Sequence, residues 1–277
     1  MPSTAIVTDT TSDVPPEEAK ALSIEVVPVL ITLNGHSYVD GLELSRADFY
    51  RRLPMTKAPA TTAAPSLHAF EAVYEKVLSK GAEKVLSIHP SEKLSSVVNI
   101  ARQAATSFGD RVHVFDSLYV SLAAGFQVMQ AAAAALAGET FETILEGVQR
   151  ARERARVAAV IDTLEYIRRS GRVSWLRAGL GDLLRIKLLV RVADGAIQRI
   201  GQARTKPKAL EQLRAIAETW GPLEKLAILH SSVPAEAAEF AERLRGLCTQ
   251  APLIVDVSTA IGTHAGPGCI GVAALSR

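Results

Sequence analysis

Cysteine is nearly absent. Cys248 and Cys269 are the two in 277 residues, and no Cys-x-x-Cys pair or Cys/His ladder goes with them. This excludes a disulfide framework and a structural zinc site, and it fits a reducing cytoplasm. A charge bias is absent too: 31 Lys and Arg stand against 29 Asp and Glu, well mixed, for a formal net charge of +2. Dedicated nucleic-acid binders gather basic residues, so no nucleic-acid partner is expected. The opening "MPSTAIVTDTTSD" has no basic n-region before an apolar stretch, so no signal peptide is read there. A phosphate loop ending in Gly-Lys-Ser/Thr and a Gly-x-Ser-x-Gly elbow are both missing, which removes the usual parts of nucleotide hydrolysis and of an α/β-hydrolase. The six histidines share no spacing that would face a metal, so no metal is expected.

One charge-free run does occur, "SLAAGFQVMQAAAAALAG" at 121–138. Alanine dominates it, and Gln127 and Gln130 suit lipid poorly, so a buried core helix is expected rather than a transmembrane segment.

Strand and helix patterns alternate through the first half. "TAIVTD" (4–9), "IEVVPVLITL" (24–33), "KVLSIH" (84–89) and "RVHVFD" (111–116) read as strands. Between them "PPEEAKAL", "SRADFYRRL", a helix capped by Ser66 and "LSSVVNIARQAATSF" read as helices, and "KAPATTAAPS" (57–66) as a loop. That rhythm predicts a parallel sheet with helices on both faces, whose ligands sit at the carboxyl ends of the strands. After the helix at 139–155 a hairpin pattern turns on Ala193-Asp194-Gly195, followed by helices and strands that suit a mixed sheet. The expectation is an α/β chain of two domains, 1–155 with a parallel sheet sandwiched by helices and 156–277 with a mixed sheet and helices.

Hydroxyls cluster where ligand loops belong: Thr8, Thr10, Thr11 and Ser12 after the first strand, Thr61 and Thr62, and Ser95. Such groups suit an oxyanion, and they equally suit helix capping. Asp9, straight after a strand, could be a phosphotransferase nucleophile, although that chemistry wants an acid where Thr11 stands. Ser95, His264 and Asp116 could form a hydrolase triad, without an elbow to support it. His264 lies in "GTHAGPG", where the glycines imply a constrained loop; it is either a core histidine bonded to backbone or a ligand. Arg168, Arg169 and Arg172 surround a glycine at a helix end, where the helix dipole alone favours arginine.

In order, "VTDTTSDVP" (7–15), "ATTAAPS" (60–66), "IHPSEKLSSVVNIA" (88–101), "VFDSLYVSLAAG" (114–125), "DTLEYIRRSGRVS" (162–174), "ADGAIQRIGQARTKPKAL" (193–210) and "GTHAGPGCIGV" (262–272) resemble the motifs of the DegV family of bacterial fatty-acid-binding proteins. The resemblance implies two α/β domains around a long acyl chain, with the carboxylate held at positions that are Thr62 and Ser95 here. It also implies roles for His264, in the Gly-x-His-x-Gly-Pro-Gly motif, and for Arg172, in the Gly-Arg pair. It further implies a carrier without catalytic residues or cofactor of its own, which gives its fatty acid to a separate kinase making an acyl phosphate for phospholipid synthesis. Two departures stand out: Ala63-Ala64 replace a Ser-Gln pair, and Ser96 replaces a glycine. Burying about 0.8 kcal/mol per methylene, a chain of roughly sixteen carbons gains on the order of 10 kcal/mol before binding costs. A phosphotransferase or hydrolase using Asp9 or Ser95, and a small-molecule sensor, remain the alternatives.

Overall fold

The computed structural model describes residues 2–56, 58–173 and 186–277; Lys57 of the proline-rich loop and Ser174 of the Gly-Arg motif lie outside the described residues. In chain order the elements begin β1 (Thr4–Asp9), α1 (Pro16–Ala21), β2 (Glu25–Val27), β3 (Leu30–Leu33), β4 (His36–Val39), α2 (Arg46–Arg52) and β5 (Thr61–Ala63). They continue with α3 (Leu67–Ser79), β6 (Lys84–His89), α4 (Val97–Ala105), β7 (Val112–Asp116), α5 (Leu122–Leu136), α6 (Phe141–Arg154), β8 (Ala155–Ile161) and α7 (Leu164–Ser170). The rest is β9 (Lys187–Ala193), β10 (Ala196–Ala203), α8 (Lys206–Glu218), β11 (Leu223–His230), α9 (Pro234–Leu244), β12 (Leu253–Asp256), α10 (Thr259–Ala265) and β13 (Ile270–Ser276).

Strands β2-β1-β6-β7 form the expected all-parallel sheet. The second sheet, β10-β9-β8-β13-β11-β12, is mixed: β11 and β12 run parallel and the other pairs antiparallel. A third sheet, β4-β3-β5, was not foreseen as such. Residues 24–33 read as one strand but are two, because Pro28 lacks an amide proton and cannot continue a ladder. The chain turns there; β2 joins the parallel sheet and β3 pairs with β4 and β5. Within the proline-rich loop, Thr61–Ala63 form β5 between Pro59 and Pro65.

The charge-free run is the buried helix α5, lying on β1 of the first sheet and on β8 and β13 of the second. Its small residues permit that position. A Cβ on Gly125 would stand 2.5 Å from the Ser12 carbonyl oxygen, so only glycine admits the turn after β1. Inside, the Gln127 amide nitrogen donates to the carbonyls of Ala123 and Ser117, while its buried Oε1 has no partner among the described residues. Side chains alternate along β13: Ile270, Val272 and Ala274 pack with α8 and α9, whereas Ala273 and Leu275 join the core shared with the first half. Among the described residues, no helix is long and apolar enough to cross a membrane.

Candidate functional site

That shared side of the mixed sheet does not pack solidly. A cavity of about 1240 Å³, counting its open mouth, lies between the sheet and the loops that end the parallel strands. Val157, Ala159, Val190, Val192 and Leu229 supply an apolar wall, and Thr62, Ser95, Arg172 and His264 all line the same space.

His264 reaches it from α10, whose first turn is capped by Ser258 accepting from the Ile261 amide at 3.4 Å. The glycines on either side have separate reasons. A side chain at Gly262 would collide with Tyr50, whose hydroxyl donates to the Val257 carbonyl at 3.2 Å. Gly266, at φ +77°, turns the chain out of the helix against the ring of Tyr166. His264 Nε2 lies 3.1 Å from the Thr62 hydroxyl, and its buried Nδ1 has no protein partner. A core histidine bonded to backbone is therefore not what is found. Burial, with the positive charge of Arg172 added, pushes the imidazole down to about 3, so the ring is neutral at neutral pH.

Thr62 sits in β5 opposite Ile31, which fixes its side chain beside α10. Ser95 precedes α4, and its oxygen accepts from the Val97 amide at 3.3 Å. A local bond at the start of α4 and cavity lining thus coincide in one hydroxyl, whose lone pair is engaged while its proton can still be donated. Gly171, at φ +69°, ends α7 in the left-handed conformation and hands the chain to Arg172. The Arg172 guanidinium donates to the Ser170 carbonyl at 2.6 Å through Nη1, and the residue is exposed. Of the two departures, Ala63 and Ala64 line the cavity, whereas Ser96 faces outward.

The enzyme alternatives lose their residues here. Asp9 is completely buried and does not line the cavity; it accepts from the Thr11 amide at 3.0 Å and the Thr11 hydroxyl at 2.5 Å, and its other oxygen lies 2.7 Å from His89 Nδ1. His89 Nε2 contacts Ser87 at 2.7 Å, and the Tyr74 hydroxyl donates to Ser87 at 2.9 Å. With Tyr74 donating, the consistent assignment has Ser87 donating to Nε2 and Nδ1–H donating to Asp9, which satisfies the whole buried chain. Asp116 accepts the amides of Glu92 and Leu118, and His264 is paired with Thr62, so Ser95, His264 and Asp116 form no triad. Sequence reasoning also counted no Gly-x-Gly-x-x-Gly, although the spacing occurs at 266–271; it leads from a helix into β13, the reverse of the strand-to-helix order that binds dinucleotides.

Sequence reasoning missed His230, at the end of β11, which lines the cavity with its Nδ1 3.2 Å from Asp256. Nothing in its spacing marked it; strand β11 alone puts it there. Thr11 and Ser121 also reach the cavity. Among the described residues, no group of three or more His, Cys, Asp or Glu is placed to hold a metal ion.

Fold and site together define an α/β protein with a large, mainly apolar ligand cavity and a polar cluster in its wall. A family model described as "Uncharacterised protein, DegV family" matches residues 3–277, and the chain belongs to the DegV family. A DegV domain-containing protein of Deinococcus radiodurans is 35% identical over 275 residues, covering 98% of both chains. A DegV family protein from Thermus thermophilus, whose structure is described as showing fatty acid binding, superposes with a TM-score of 0.91 at 32% identity over 100% of both chains. DegV from Bacillus subtilis, described as a fatty acid binding protein, gives 0.86 at 28% identity, again over 100% of both chains.

Proposed function

We propose that this protein is a carrier that holds a long-chain fatty acid in the cavity and presents its carboxylate to a separate kinase in the cytoplasm. In this reading the lobes 1–155 and 156–277 close on the acyl chain, and Thr62, Ser95, His264 and Arg172 hold the head group. The observation that carries it is the meeting of all four residues on one cavity whose remaining wall is mostly aliphatic. A buried carboxylate needs hydrogen-bond donors, and the Thr62 and Ser95 hydroxyls supply them without a full buried counter-charge. His264, neutral, carries one N–H; held on Nε2, it donates to the Thr62 hydroxyl and leaves that hydroxyl's proton free for the carboxylate. The related proteins described as binding fatty acids support the choice of ligand.

Arg172 separates holding from presenting. Its exposed guanidinium beside the head group can offset the repulsion between a carboxylate and an incoming phosphate as charge gathers in the transition state. Arg172→Ala should keep palmitate affinity within a few-fold and sharply slow acyl-phosphate formation by the cognate kinase, both read on one preparation. If both fall together, Arg172 is a binding or structural residue; if neither falls, the presenting role is wrong.

A further inference from the structure

Two kinds of hydroxyl line the cavity, and they differ in what they offer. Thr62 and Ser95 have protons to donate, as a carboxylate requires. Thr11 and Ser121 do not. Thr11 Oγ1 donates to Asp9 Oδ1 at 2.5 Å, and that oxygen also accepts the Thr11 amide, which fixes it as the acceptor. Ser121 Oγ donates to Asp13 Oδ2 at 2.5 Å. Burial raises the Asp13 carboxyl to about 6, so it is mostly ionised at neutral pH and remains the acceptor. Both protons are thus committed to buried carboxylates, and each oxygen keeps only its lone pairs for the cavity.

The two hydroxyls belong together, since the Ser121 amide donates to the Thr11 carbonyl at 2.9 Å. His230 stands in the same cavity wall, 6% exposed, and its Nδ1 has no hydrogen-bond partner; Asp256 Oδ1, 3.2 Å away, is out of line for one. Its carbonyl takes the Val257 amide at 2.8 Å, and the next amide, that of Ser258, donates to Asp13 at 2.7 Å. The cluster therefore gathers at the start of α10. His264 lies six residues beyond Ser258, roughly 9 Å along the helix axis.

Lone pairs repel a carboxylate, and an aliphatic end leaves them unpaired at a cost. An alcohol suits them, because it brings the missing proton. Resting on the fatty-acid reading above, we propose that Thr11, Ser121 and His230 form a station for a hydroxyl group carried part-way along the acyl chain, so that the cavity takes mid-chain hydroxylated fatty acids as well as plain ones. The alcohol donates to one of the two hydroxyl oxygens, and the His230 ring supplies a donor for its own oxygen. A bound water offers the same O–H chemistry, and the test separates the two sources.

The full chain, freed of lipid, is titrated with stearate and with hydroxystearates bearing the hydroxyl at carbon eight, ten or twelve. Against a purely apolar wall each alcohol gives up its water hydrogen bonds without replacement, and binds more than tenfold weaker than stearate. At least one of the three should instead bind within threefold of stearate, or tighter. In Thr11→Val combined with Ser121→Gly, that probe should lose at least tenfold while stearate stays within threefold. Glycine suits position 121, where φ is +53° and ψ −151°. Asp9 keeps the Thr11 amide and His89 as partners, and Asp13 keeps the Ser258 amide. A melting curve verifies folding, and the wild-type comparison decides alone where the double variant does not fold. All three alcohols weaker than stearate by more than threefold would leave the station to water alone, and would overturn the proposal without touching the fatty-acid reading. A smaller loss in the variant, or an equal loss for stearate, overturns it too. A wild type that binds neither stearate nor its alcohols overturns the fatty-acid reading and the station with it.

Discussion

Thr62 and Ser95 each do two jobs, and the second job sets what their removal should show. Thr62 pairs with His264, and Ser95 accepts an amide at the start of α4. Thr62→Val and Ser95→Ala should each weaken palmitate binding by roughly 1–3 kcal/mol, since a buried carboxylate loses a donor. Ser95→Ala should also cost up to about 1 kcal/mol of folding stability from the lost bond to the Val97 amide, visible without ligand. Titration calorimetry and denaturant melts separate the two effects. Unchanged affinity in both variants reduces these residues to local structure. At this scale the sequence was informative only in part: the glycines beside His264 suggested a constrained loop, whereas Gly262 and His264 lie in α10, and what the glycines do mark is close approach, to Tyr50 and Tyr166. It was silent on the partner. That Thr62, 202 residues away, is the hydroxyl beside the imidazole depends on how β5 pairs with β3, and no local pattern encodes that.

Elements meet around Asp13, just after β1. Its carboxylate accepts the Ser258 amide at the start of α10 at 2.7 Å and the Ser121 hydroxyl before α5 at 2.5 Å, with Arg46 of α2 at 3.7 Å. Burial raises it from 3.8 to about 6, despite the lowering effects of Arg46 and of both hydrogen bonds; Asp40 adds a smaller upward push. A native carboxyl that holds its proton above the unfolded value contributes stability that is full below about pH 4 and lost as pH rises through about 6. Lowering the pH from 7 to 4 should therefore favour the wild type over Asp13→Asn by about 1–3 kcal/mol, followed by urea melts at several pH values. A difference that does not change with pH would contradict the assignment. Gly125 in α5 gives a second expectation: Gly125→Ala should cost about 1–3 kcal/mol, because the methyl meets the Ser12 carbonyl and the backbone must shift. A melt no lower than wild type would mean the helix is free to move. The elements themselves were legible from periodicity, and the failures were local. Pro28 split one apolar run into two strands, and β5 is too short, at three residues, to show an alternation.

Across the molecule, the cavity exists because the mixed sheet uses one side for a solid core under α8 and α9 and the other as a wall facing the first half. The lining of that wall, Val157 with Ala159 on β8 and Val190 with Val192 on β9, comes from alternate positions that read in sequence simply as buried strand. Apolar residues facing a cavity and apolar residues facing a core have the same pattern, so the space between them was out of reach of periodicity. The order of the motifs along the chain, and not any one strand, pointed to a lipid. The central claim is that this space is filled by a long-chain fatty acid, and extraction tests it most directly. Protein purified without added lipid, denatured and extracted, should yield close to one long-chain fatty acid per chain by mass spectrometry. A phosphorylated metabolite or another small molecule in its place, at the same stoichiometry, would contradict the account.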